Sequence, residues 1–551
     1  MKSKNFNNLL SNIGGRGIAF YLMTILAVFN SVFSVLFAFC VKLLVNAVEY
    51  KKSTKEITLF AVLVVLTVII SFICGVLYKI MHAKSATIVE LKLRRYVFNC
   101  YLKGSYKNVI SFKSGDVISR LESDVQKVAN THVALLPSAL STIVHVLAVL
   151  FVLFFMQPLF TLVLLLCVGV AFAVSYFIRK IIFKLNLNTR NSEGKTASFI
   201  SEVSSNALFI KSTSVENSVL NLANGNFNGV YNNKLKARVF SASALSLISF
   251  CFTLVYAVTI IWAVLKVNSG VSGIDYGTLI AILQLGYQIK NPIMSLSAYV
   301  PAYYEMQSSL SRLCDICFEE KNSKIDVSNF EFKKATFSNV TFAYDNKTAV
   351  LNGVNLEINC LDSVLIKGQS GIGKSTLLKL LTGVYETTSG SIVLEFIDDS
   401  KKTIKLEPKN VKGLFAFVPQ GNMLFAGSLY SNLTMLNECA SKEEIESAIK
   451  TAVLQEVAEN GLESEVGSNG NLLSEGQGQR VSIARALIAN YKIIVFDEAT
   501  SALDSELESK IINNLKALEN VTIIAVSHKK EIEKICNKSY EVLSGELLGD
   551  N

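Results

Sequence analysis

Long apolar stretches recur along the first part of the chain at a spacing that predicts membrane-spanning helices. With a rise of about 1.5 Å per residue, about twenty residues cross the hydrocarbon core of a bilayer. Six stretches are long enough, at about residues 18–45, 57–81, 132–155, 158–183, 239–266 and 276–300. The connections after the second and fourth stretches are long and keep apolar positions at helical spacing. We therefore expect an all-α six-helix transmembrane domain with long cytoplasmic helical extensions.

The pattern changes after residue 320, where hydropathy falls and strands begin to alternate with helices. Residues 364–366 form a short apolar strand before a glycine-rich turn, and the runs 493–496 and 523–526 are typical of buried strands. This alternation predicts a mainly parallel α/β domain. We therefore expect a multi-domain membrane protein, with a transmembrane domain over 1–320 and an α/β domain over 321–551.

Composition and charge support a membrane location. The 551 residues are 51% hydrophobic and 18% charged, with a mean hydropathy of +0.41, which is too apolar for an ordinary soluble protein. The net charge of the whole chain is +9, and the excess of Lys and Arg lies before residue 320, between the apolar stretches, whereas the rest of the chain is net acidic. By the positive-inside rule, the distribution of Lys and Arg predicts that both termini and both long connections are cytoplasmic. The basic side chains there can contact anionic lipid head groups. We expect a multi-pass protein of a cell membrane, by default the bacterial plasma membrane, and no nucleic-acid partner.

The ten cysteines are scattered through apolar runs and the second domain, without the spacing of a disulfide framework. They are typical of small buried side chains in a reducing compartment. Cys314 and Cys317 form one C-x-x-C pair, with no second pair and no histidine nearby. Helix packing near the domain linker is the favoured interpretation of this pair, and a zinc or redox site is the alternative.

A phosphate-binding loop follows the strand at 364–366. The run fits G-x-x-x-x-G-K-[ST] and lies between a strand and a helix, as that motif requires. Its glycines let backbone N–H groups point at phosphates, its lysine neutralises phosphate charge, and its serine hydroxyl is a Mg²⁺ ligand. The predicted nucleotide-binding residues are Gly368, Gln369, Ser370, Gly371, Ile372, Gly373, Lys374, Ser375 and Thr376. The sequence thus predicts ATP and Mg²⁺ as cofactors, and it predicts that the α/β domain over 321–551 is a nucleotide-binding domain of the P-loop ATPase type.

Two carboxylates follow the strand at 493–496. We expect Asp497 to enter the metal shell and Glu498 to polarise the attacking water. Strands often end in solvated acids, so the pair alone is a weak signal. Its position downstream of the phosphate loop and its neighbouring motifs give it weight.

Those neighbouring motifs resemble the ABC transporter family. Residues 473–480 are similar to the family's signature motif, with Ser474, Gly476 and Gln477 kept and Glu475 in place of the usual first glycine. The resemblance implies that the signature contacts the ATP of a partner subunit. It also implies a Q-loop glutamine among the metal ligands, a D-loop aspartate, a catalytic switch histidine and an adenine-stacking tyrosine, at Gln420, Asp504, His528 and Tyr344. Taken singly, each of these four residues has a simpler interpretation: a surface Gln, a helix-capping Asp, a core His and a packed Tyr. Their occurrence together, in the family's order, favours the functional interpretation.

The resemblance extends to the transmembrane half, where two segments look like the coupling regions of six-helix exporters. The first is 114–121, with Gly115 and Asp116, and the second ends at Glu216. One departure from the exporter pattern is Ser468, where an acid is usual. The amino terminus is too short for the cysteine-peptidase domain of one class of peptide exporters, so we expect no leader cleavage by this chain.

The family resemblance also implies a dimer, because each ATP lies between the phosphate loop of one subunit and the signature of the other. We expect a second copy of this chain as partner, with a heterodimer as the alternative. The expected activity is ATP hydrolysis coupled to export of a peptide, lipid or drug. An importer of the same topology and an ATP-gated membrane ATPase that transports nothing remain alternatives.

Lys290 is a cation within the sixth apolar stretch, beside several polar residues. A charge there is costly unless it faces water or a partner. It either lines the substrate cavity or extends towards the cytoplasmic head groups.

Overall fold

The computed structural model describes residues 18–112, 114–268, 275–317, 324–344, 348–398, 401–421, 423–467, 470–518, 520–533 and 536–549. The chain divides into two compact units. The first unit comprises residues 1–104 and 112–318, and the second comprises 105–111 and 319–551.

The described part of the first unit is helical. Its helices are α1 (Ile18–Glu49), α2 (Thr54–Lys103), α4 (Ser114–Ser119), α5 (Val125–Met156), α6 (Pro158–Ser205), α7 (Ala207–Thr213), α8 (Glu216–Asn268), α9 (Tyr276–Gln288) and α10 (Lys290–Ile316). A π-helical turn, Arg120–Asp124, joins α4 to α5. The short helix α3 (Tyr106–Ser111) belongs to the second unit.

Several helices of the first unit are too long to lie within a bilayer. Helix α2 has 50 residues, α6 has 48 and α8 has 53. At about 1.5 Å per residue each exceeds 70 Å, against about 30 Å of hydrocarbon. These helices therefore extend well beyond a membrane, as expected for helices that continue past their spans.

By length and apolar composition, four helices of the described residues could cross a membrane. They cover Ile18–Glu49, Thr54–Lys103, Ser114–Met156 and Glu216–Leu265. These contain the predicted stretches at 18–45, 57–81 and 132–155 and all but the last residue of that at 239–266. The stretch at 158–183 is helical in its backbone, but most of its side chains lie outside the description. A span there stays a prediction.

The stretch expected at 276–300 is divided between two helices, α9 and α10, which meet at Ile289. Pro292 is the third residue of α10. Because proline has no backbone N–H, it cannot donate to the carbonyl of Gln288 four residues earlier. The missing hydrogen bond explains why the regular helix is interrupted at this point.

Hydroxyl and amide groups join the transmembrane helices to one another. The hydroxyls of Ser31 and Ser141 lie 2.7 Å apart between α1 and α5, and Ser71 on α2 donates to Asn30 at 2.7 Å. Such contacts hold helices together in lipid, where apolar surface alone gives little preference for a neighbouring helix.

The second unit is built on two main sheets. Its described strands are β1 (Ile325–Asp326), β2 (Glu331–Phe342), β3 (Leu351–Asn359), β4 (Ser363–Lys367), β5 (Ser389–Ile397), β6 (Thr403–Leu406), β7 (Val411–Lys412), β8 (Phe415–Val418), β9 (Ile493–Asp497), β10 (Thr522–Val526), β11 (Lys538–Leu543) and β12 (Glu546–Gly549). One main sheet has the order β12–β11–β4–β10–β9–β8 and is parallel except for the β11–β12 pair. The other is antiparallel, with the order β3–β2–β5–β6, and the short strands β1 and β7 pair separately.

Seven further helices belong to the described part of the second unit. They are α11 (Lys374–Leu381), α12 (Leu429–Leu433), α13 (Lys442–Thr451), α14 (Gln455–Ala458), α15 (Glu475–Ile488), α16 (Ser505–Lys516) and α17 (Lys530–Glu533). Strands β9 and β10 are buried at every position. A parallel sheet covered on both faces requires such continuous apolar strands. The carboxyl ends of β4, β9 and β10 therefore bring three loops to one edge of the sheet, which is where ligands bind in such folds.

Candidate nucleotide-binding site

The phosphate loop curls tightly between β4 and α11. Gly368, Gly371 and Gly373 have φ angles of +136°, +82° and +116°, which L side chains rarely adopt. A Cβ on Gly368 would lie 2.7 Å from the carbonyl oxygen of Val542. Only glycine fits there, so the loop can turn its backbone N–H groups towards a bound phosphate.

Lys374, the first residue of α11, is buried beneath this loop. Its Nζ donates to the carbonyl oxygens of Gly368 and Gln369, at 2.6 and 3.0 Å, and lies 2.8 Å from Nε2 of His528. Because a protonated lysine can only donate, Nε2 accepts and the proton of a neutral His528 ring lies on Nδ1. Burial lowers the pKa of Lys374, although Glu498 and Asp497 oppose that shift. The predicted phosphate-neutralising cation and switch histidine thus meet directly.

Ser375 and Asp497 form a pair of hard oxygen donors beside the loop. The Ser375 hydroxyl donates to Oδ1 of Asp497 at 2.8 Å. Burial raises the pKa of Asp497 despite this hydrogen bond. A hydroxyl and a carboxylate this close fit the oxygen ligands that Mg²⁺ prefers. A nearby cation would also favour the charged form of the buried carboxyl.

Glu498 follows the buried strand β9 in a strained conformation. Its φ is +49°, in the left-handed region that is unfavourable for a side chain with a Cβ. Its N–H donates to the carbonyl of Val526 at 3.0 Å, which ties the β9 loop to the β10 loop. Backbone strain of this kind is common where a side chain must be aimed at a reaction.

The Glu498 carboxylate is held between two of the predicted residues. Nε2 of Gln420 donates to it at 3.0 Å, and Nε2 of His528 lies 3.7 Å away. Gln420 therefore contacts the predicted base through its amide nitrogen, which leaves its carbonyl oxygen as a ligand for a cation. Gln420, Glu498 and His528 are brought together with Lys374, as the motifs suggested.

Tyr344 lies in an aromatic cluster next to the loop. Its hydroxyl is 2.8 Å from the hydroxyl of Thr376, and its ring packs edge-on against Phe342 and Tyr385. The Tyr344 side chain remains 41% exposed. It therefore presents an accessible ring on which a purine could stack.

The signature residues begin α15. The Ser474 hydroxyl accepts from the N–H of Gln477 at 3.2 Å, and the Gln477 carboxamide accepts from the N–H of Ser474 at 2.9 Å. This reciprocal capping fixes the first turn of the helix. A Cβ on Gly476 would lie 3.1 Å from the Ala502 carbonyl, so the helix lies close to the D-loop.

An open cavity of about 480 Å³ lies over this first turn. Its lining includes Ser474, Glu475, Gly476, Gln477 and Asp504, so the signature and the D-loop share one surface. The lining residues are distinct from those of the phosphate loop.

Asp504 also has a structural role. It caps α16, where its carboxylate accepts from the N–H of Leu507 at 2.8 Å. Its predicted D-loop role and the simpler capping role are therefore compatible.

Ser468, the position at which exporters usually carry an acid, lies outside the described residues.

Sequence reasoning missed the side chains that hold the D-loop. The Nζ of Lys529 donates to the carbonyls of Thr500 and Leu503 and pairs with the buried carboxylate of Glu508 at 3.2 Å. Gln479 donates to the Ser501 hydroxyl at 3.1 Å and accepts from the Ala502 N–H at 3.2 Å. Lys529 directly follows His528, and this proximity was the only sequence signal that could have indicated it.

In the first unit, Asp116 belongs to a network of ion pairs. Its carboxylate accepts from Arg120 and Arg312, each at 2.9 Å, and these bonds lower its pKa against the effect of burial. Arg312 also pairs with the buried Asp124 at 3.0 Å. The network joins the segment before α5 to the end of α10.

The other two predicted coupling residues are less constrained. A Cβ added at Gly115 would meet no atom within 4 Å, so a larger residue would fit there. Glu216 begins α8 and forms an exposed ion pair with Lys211 at 3.1 Å. The coupling roles of Gly115, Asp116 and Glu216 stay predictions.

Lys290 begins α10 at the interruption of the sixth stretch. One turn further, Met294 lines a cavity of about 510 Å³ with Ser246, Ser249, Phe250 and Thr253 of α8. Residues of α8 and α10 thus line this cavity, and a role of Lys290 in a substrate cavity stays a prediction.

The parallel sheet, the phosphate loop and the cluster at its edge define a P-loop nucleotide-binding domain, carried on a chain with membrane-spanning helices. A family profile described as "ABC transporter" matches residues 351–501, and one described as "ABC transporter transmembrane region" matches residues 20–292.

Curated relatives agree with both profiles. The chain is 30% identical over 497 residues to the lactococcin-G-processing and transport ATP-binding protein LagD of Lactococcus lactis subsp. lactis, covering 86% of this chain and 69% of LagD. It is 25% identical over 468 residues to a multidrug resistance ABC transporter ATP-binding and permease protein of Lactococcus lactis subsp. lactis strain IL1403, covering 84% of this chain and 78% of that protein.

A solved structure shares the fold. A bacterial Atm1-family ABC exporter with ATP bound matches with a TM-score of 0.80 and 22% identity, over 95% of this chain and 93% of the other. The chain therefore belongs to the ABC transporter family. It is a multi-pass membrane protein with the fold of that exporter, and its nucleotide-binding domain couples ATP hydrolysis to transport. These findings confirm the predicted fold class and activity.

Proposed function

We propose that two copies of this chain form an exporter in which ATP is hydrolysed at two composite sites. The observation that carries the proposal is the separation of two groups of residues within one chain. Lys374, Ser375, Asp497, Glu498 and His528 cluster at the phosphate loop. Ser474 and Gly476 line a different, open cavity with Asp504. A phosphate loop and a signature that do not share one site require a second subunit.

At each site the residues have distinct tasks. Lys374 and the loop N–H groups hold the phosphates, and Tyr344 stacks on the adenine. Ser375, Asp497 and Gln420 would hold Mg²⁺, which supplies charge neutralisation at the phosphates when bound. Glu498 takes a proton from the attacking water, and Gln420 orients its carboxylate. His528 accepts the hydrogen bond of Lys374 and lies beside Glu498, so its ring is placed to contact the terminal phosphate of ATP.

The substrate is proposed from the relatives, whose names specify multidrug resistance and lactococcin transport. The cavity between α8 and α10 carries three hydroxyl side chains beside Phe250 and Met294. This mixed lining suits an amphipathic peptide or an amphipathic small molecule better than a strongly charged solute. We place both termini in the cytoplasm of a bacterial cell, on the distribution of Lys and Arg between the apolar stretches.

Transport by inside-out vesicles tests the proposal. Vesicles that contain the purified chain should accumulate an amphipathic peptide or dye when ATP is added, and the same compound should stimulate ATP hydrolysis. Glu498→Gln should abolish both transport and ATP hydrolysis. Glu386→Gln, the matched control at a surface ion pair, should leave both unchanged. ATP-driven flux in the opposite direction would indicate an importer. ATP hydrolysis that no compound stimulates, with no flux, would indicate a non-transporting ATPase.

A further inference from the structure

Three cysteines meet where α2, α5 and α10 pack together in the first unit. Cys100 lies near the end of α2, Cys314 lies in the last turn of α10, and Cys317 directly follows α10. Buried apolar side chains of the three helices surround them, namely Leu93, Val97, Val125, Val128, Leu310 and Leu313. A packed environment of this kind holds side chains in fixed relative positions.

Two of these thiols contact each other although they are distant in the sequence. Cys100 and Cys317 belong to the same packed apolar cluster, and the Cys100 thiol is hydrogen-bonded to Cys317 there. Cys317 is 6% exposed, whereas Cys100 is partly accessible to solvent. The Cys100 thiol can thus react with a small solute, and the buried Cys317 thiol is adjacent to it.

The electrostatic surroundings make the two thiols unequal. The hydrogen bond from Cys317, with smaller contributions from Tyr96 and the charge of Lys103, lowers the pKa of Cys100 to about 7. The hydrogen bond to Cys100 and burial raise the pKa of Cys317. Near neutral pH, Cys100 is therefore partly a thiolate and Cys317 keeps its proton. A low-pKa, accessible cysteine next to a second thiol has the properties of an oxidation-sensitive pair.

We propose that Cys100 and Cys317 are a redox modification site, which hydrogen peroxide converts into a disulfide that stops the transport cycle. The Cys100 thiolate attacks the peroxide, an S–O bond forms, the O–O bond breaks, and Cys100 becomes a sulfenic acid while hydroxide takes up a proton to leave as water. The Cys317 thiol then attacks the Cys100 sulfur, the S–S bond forms, the S–O bond breaks, and a second water leaves. Two thiols and one peroxide thus give one disulfide and two waters.

The position of the pair explains why a disulfide would stop the cycle. Cys100 lies in the last turn of α2, and Cys317 follows α10, whose Arg312 is already paired with Asp116 and Asp124. Ion pairs can break and re-form as helices move, whereas a disulfide fixes the two helix ends at one spacing. The inference rests on the proposed transport cycle, in which the transmembrane helices change their relative positions.

Peroxide treatment of the full-length protein in lipid tests the inference with two separate measurements. The first is mass spectrometry of a tryptic digest without reductant, in which peptide 96–103 should become linked to peptide 313–321. The second is ATP hydrolysis, which should fall to about a tenth when most chains are cross-linked and recover after dithiothreitol. Cys100→Ser and Cys317→Ser should each keep their activity in peroxide.

Two controls separate the pair from its neighbours. After peroxide treatment, Cys314→Ser should still give the linked peptide and should still lose ATP hydrolysis. That result would assign the bond to Cys317. Cys439→Ser, at an exposed cysteine of the second unit, should behave like the unchanged protein.

The absence of the linked peptide, a bond between Cys314 and Cys317 instead, or full activity in the cross-linked protein would each overturn the inference. A loss of activity that persists in Cys100→Ser and Cys317→Ser would overturn it too. The peptide measurement does not depend on transport, so a failure of the proposed function would be recognised separately, as an untreated protein that moves no substrate.

Discussion

The phosphate-loop cluster and the signature surface differ in how complete they are within one chain. At the phosphate loop, Lys374 and Glu498 are already engaged, with His528 close to both. At the signature, Ser474 is held by its own helix turn, and the surface above it is an open cavity. The first region is organised by contacts inside the domain, whereas the second leaves an open surface, as the proposed dimer requires.

The two regions also differ in charge. The phosphate loop presents the cation Lys374 and a helix amino terminus, both of which attract phosphate. The signature helix carries Glu475 in its first turn, where the carboxylate lines the cavity beside Ser474. A carboxylate stabilises the amino terminus of its helix but repels a triphosphate. The signature of this chain is therefore expected to bind nucleotide less tightly than a signature with glycine at that position.

The largest expected effect concerns the completed region. Glu498→Gln should lower the rate of ATP hydrolysis by about 10²–10⁴-fold, because the amide cannot accept a proton from water. ATP binding should remain, since Lys374 and the loop are unchanged. Turnover and equilibrium binding of a fluorescent ATP analogue would be measured on the same preparation, with Glu386→Gln as control. Near-normal hydrolysis in Glu498→Gln would remove that residue from the role of base.

A smaller effect, on stability, is expected from Lys529, which follows His528 and holds the D-loop carbonyls next to the signature. Lys529→Met would leave the buried carboxylate of Glu508 without its cation, at a cost of about 3 kcal/mol. The melting temperature of the purified protein should fall, and Lys529→Met combined with Glu508→Gln should recover part of the loss. The Thr500 hydroxyl also donates to the Glu508 carboxylate, at 2.8 Å. Equal melting temperatures for Lys529→Met and the unchanged protein would show that this hydrogen bond alone is sufficient to hold the buried carboxylate.

The smallest effect concerns the charge at the signature. Glu475→Gly should lower the KM for ATP by about threefold to tenfold, the size expected for an exposed charge close to a phosphate. Glu475→Gln, which keeps the shape and removes the charge, should give most of this gain. Steady-state kinetics at low ionic strength would show the difference most clearly. If Glu475→Gln had no effect while Glu475→Gly did, backbone freedom rather than charge would explain the departure.

The parts of the site that could be predicted from the sequence are those encoded by neighbouring residues. The phosphate loop is a continuous run between a strand and a helix, so its position followed from local pattern alone. The meeting of Gln420, Glu498 and His528 was suggested only by the family resemblance, because these residues lie on three separate loops. The sheet order that brings the loops together is a property of long-range packing.

Other features could not be predicted for the same reason. The pairing of Lys529 with Glu508 and that of Cys100 with Cys317 depend on how helices and strands pack, which leaves no local pattern in the sequence. Pro292, in contrast, was visible within the sixth apolar stretch. Its missing N–H could have been used to predict the interruption, but the expectation of one stretch at 276–300 rested on length and hydropathy alone.

The central claim is that each ATP site is completed by the signature of a second copy, and subunit mixing tests it most directly. Lys374→Ala and Ser474→Arg chains should each be inactive alone. In a head-to-tail dimer of one of each, both lesions fall in one site and the other site is intact. We therefore predict that ATP hydrolysis returns when the two variants are mixed and reconstituted in lipid. Mixtures that stay as inactive as either variant alone, while unchanged chains hydrolyse ATP under the same conditions, would contradict the account.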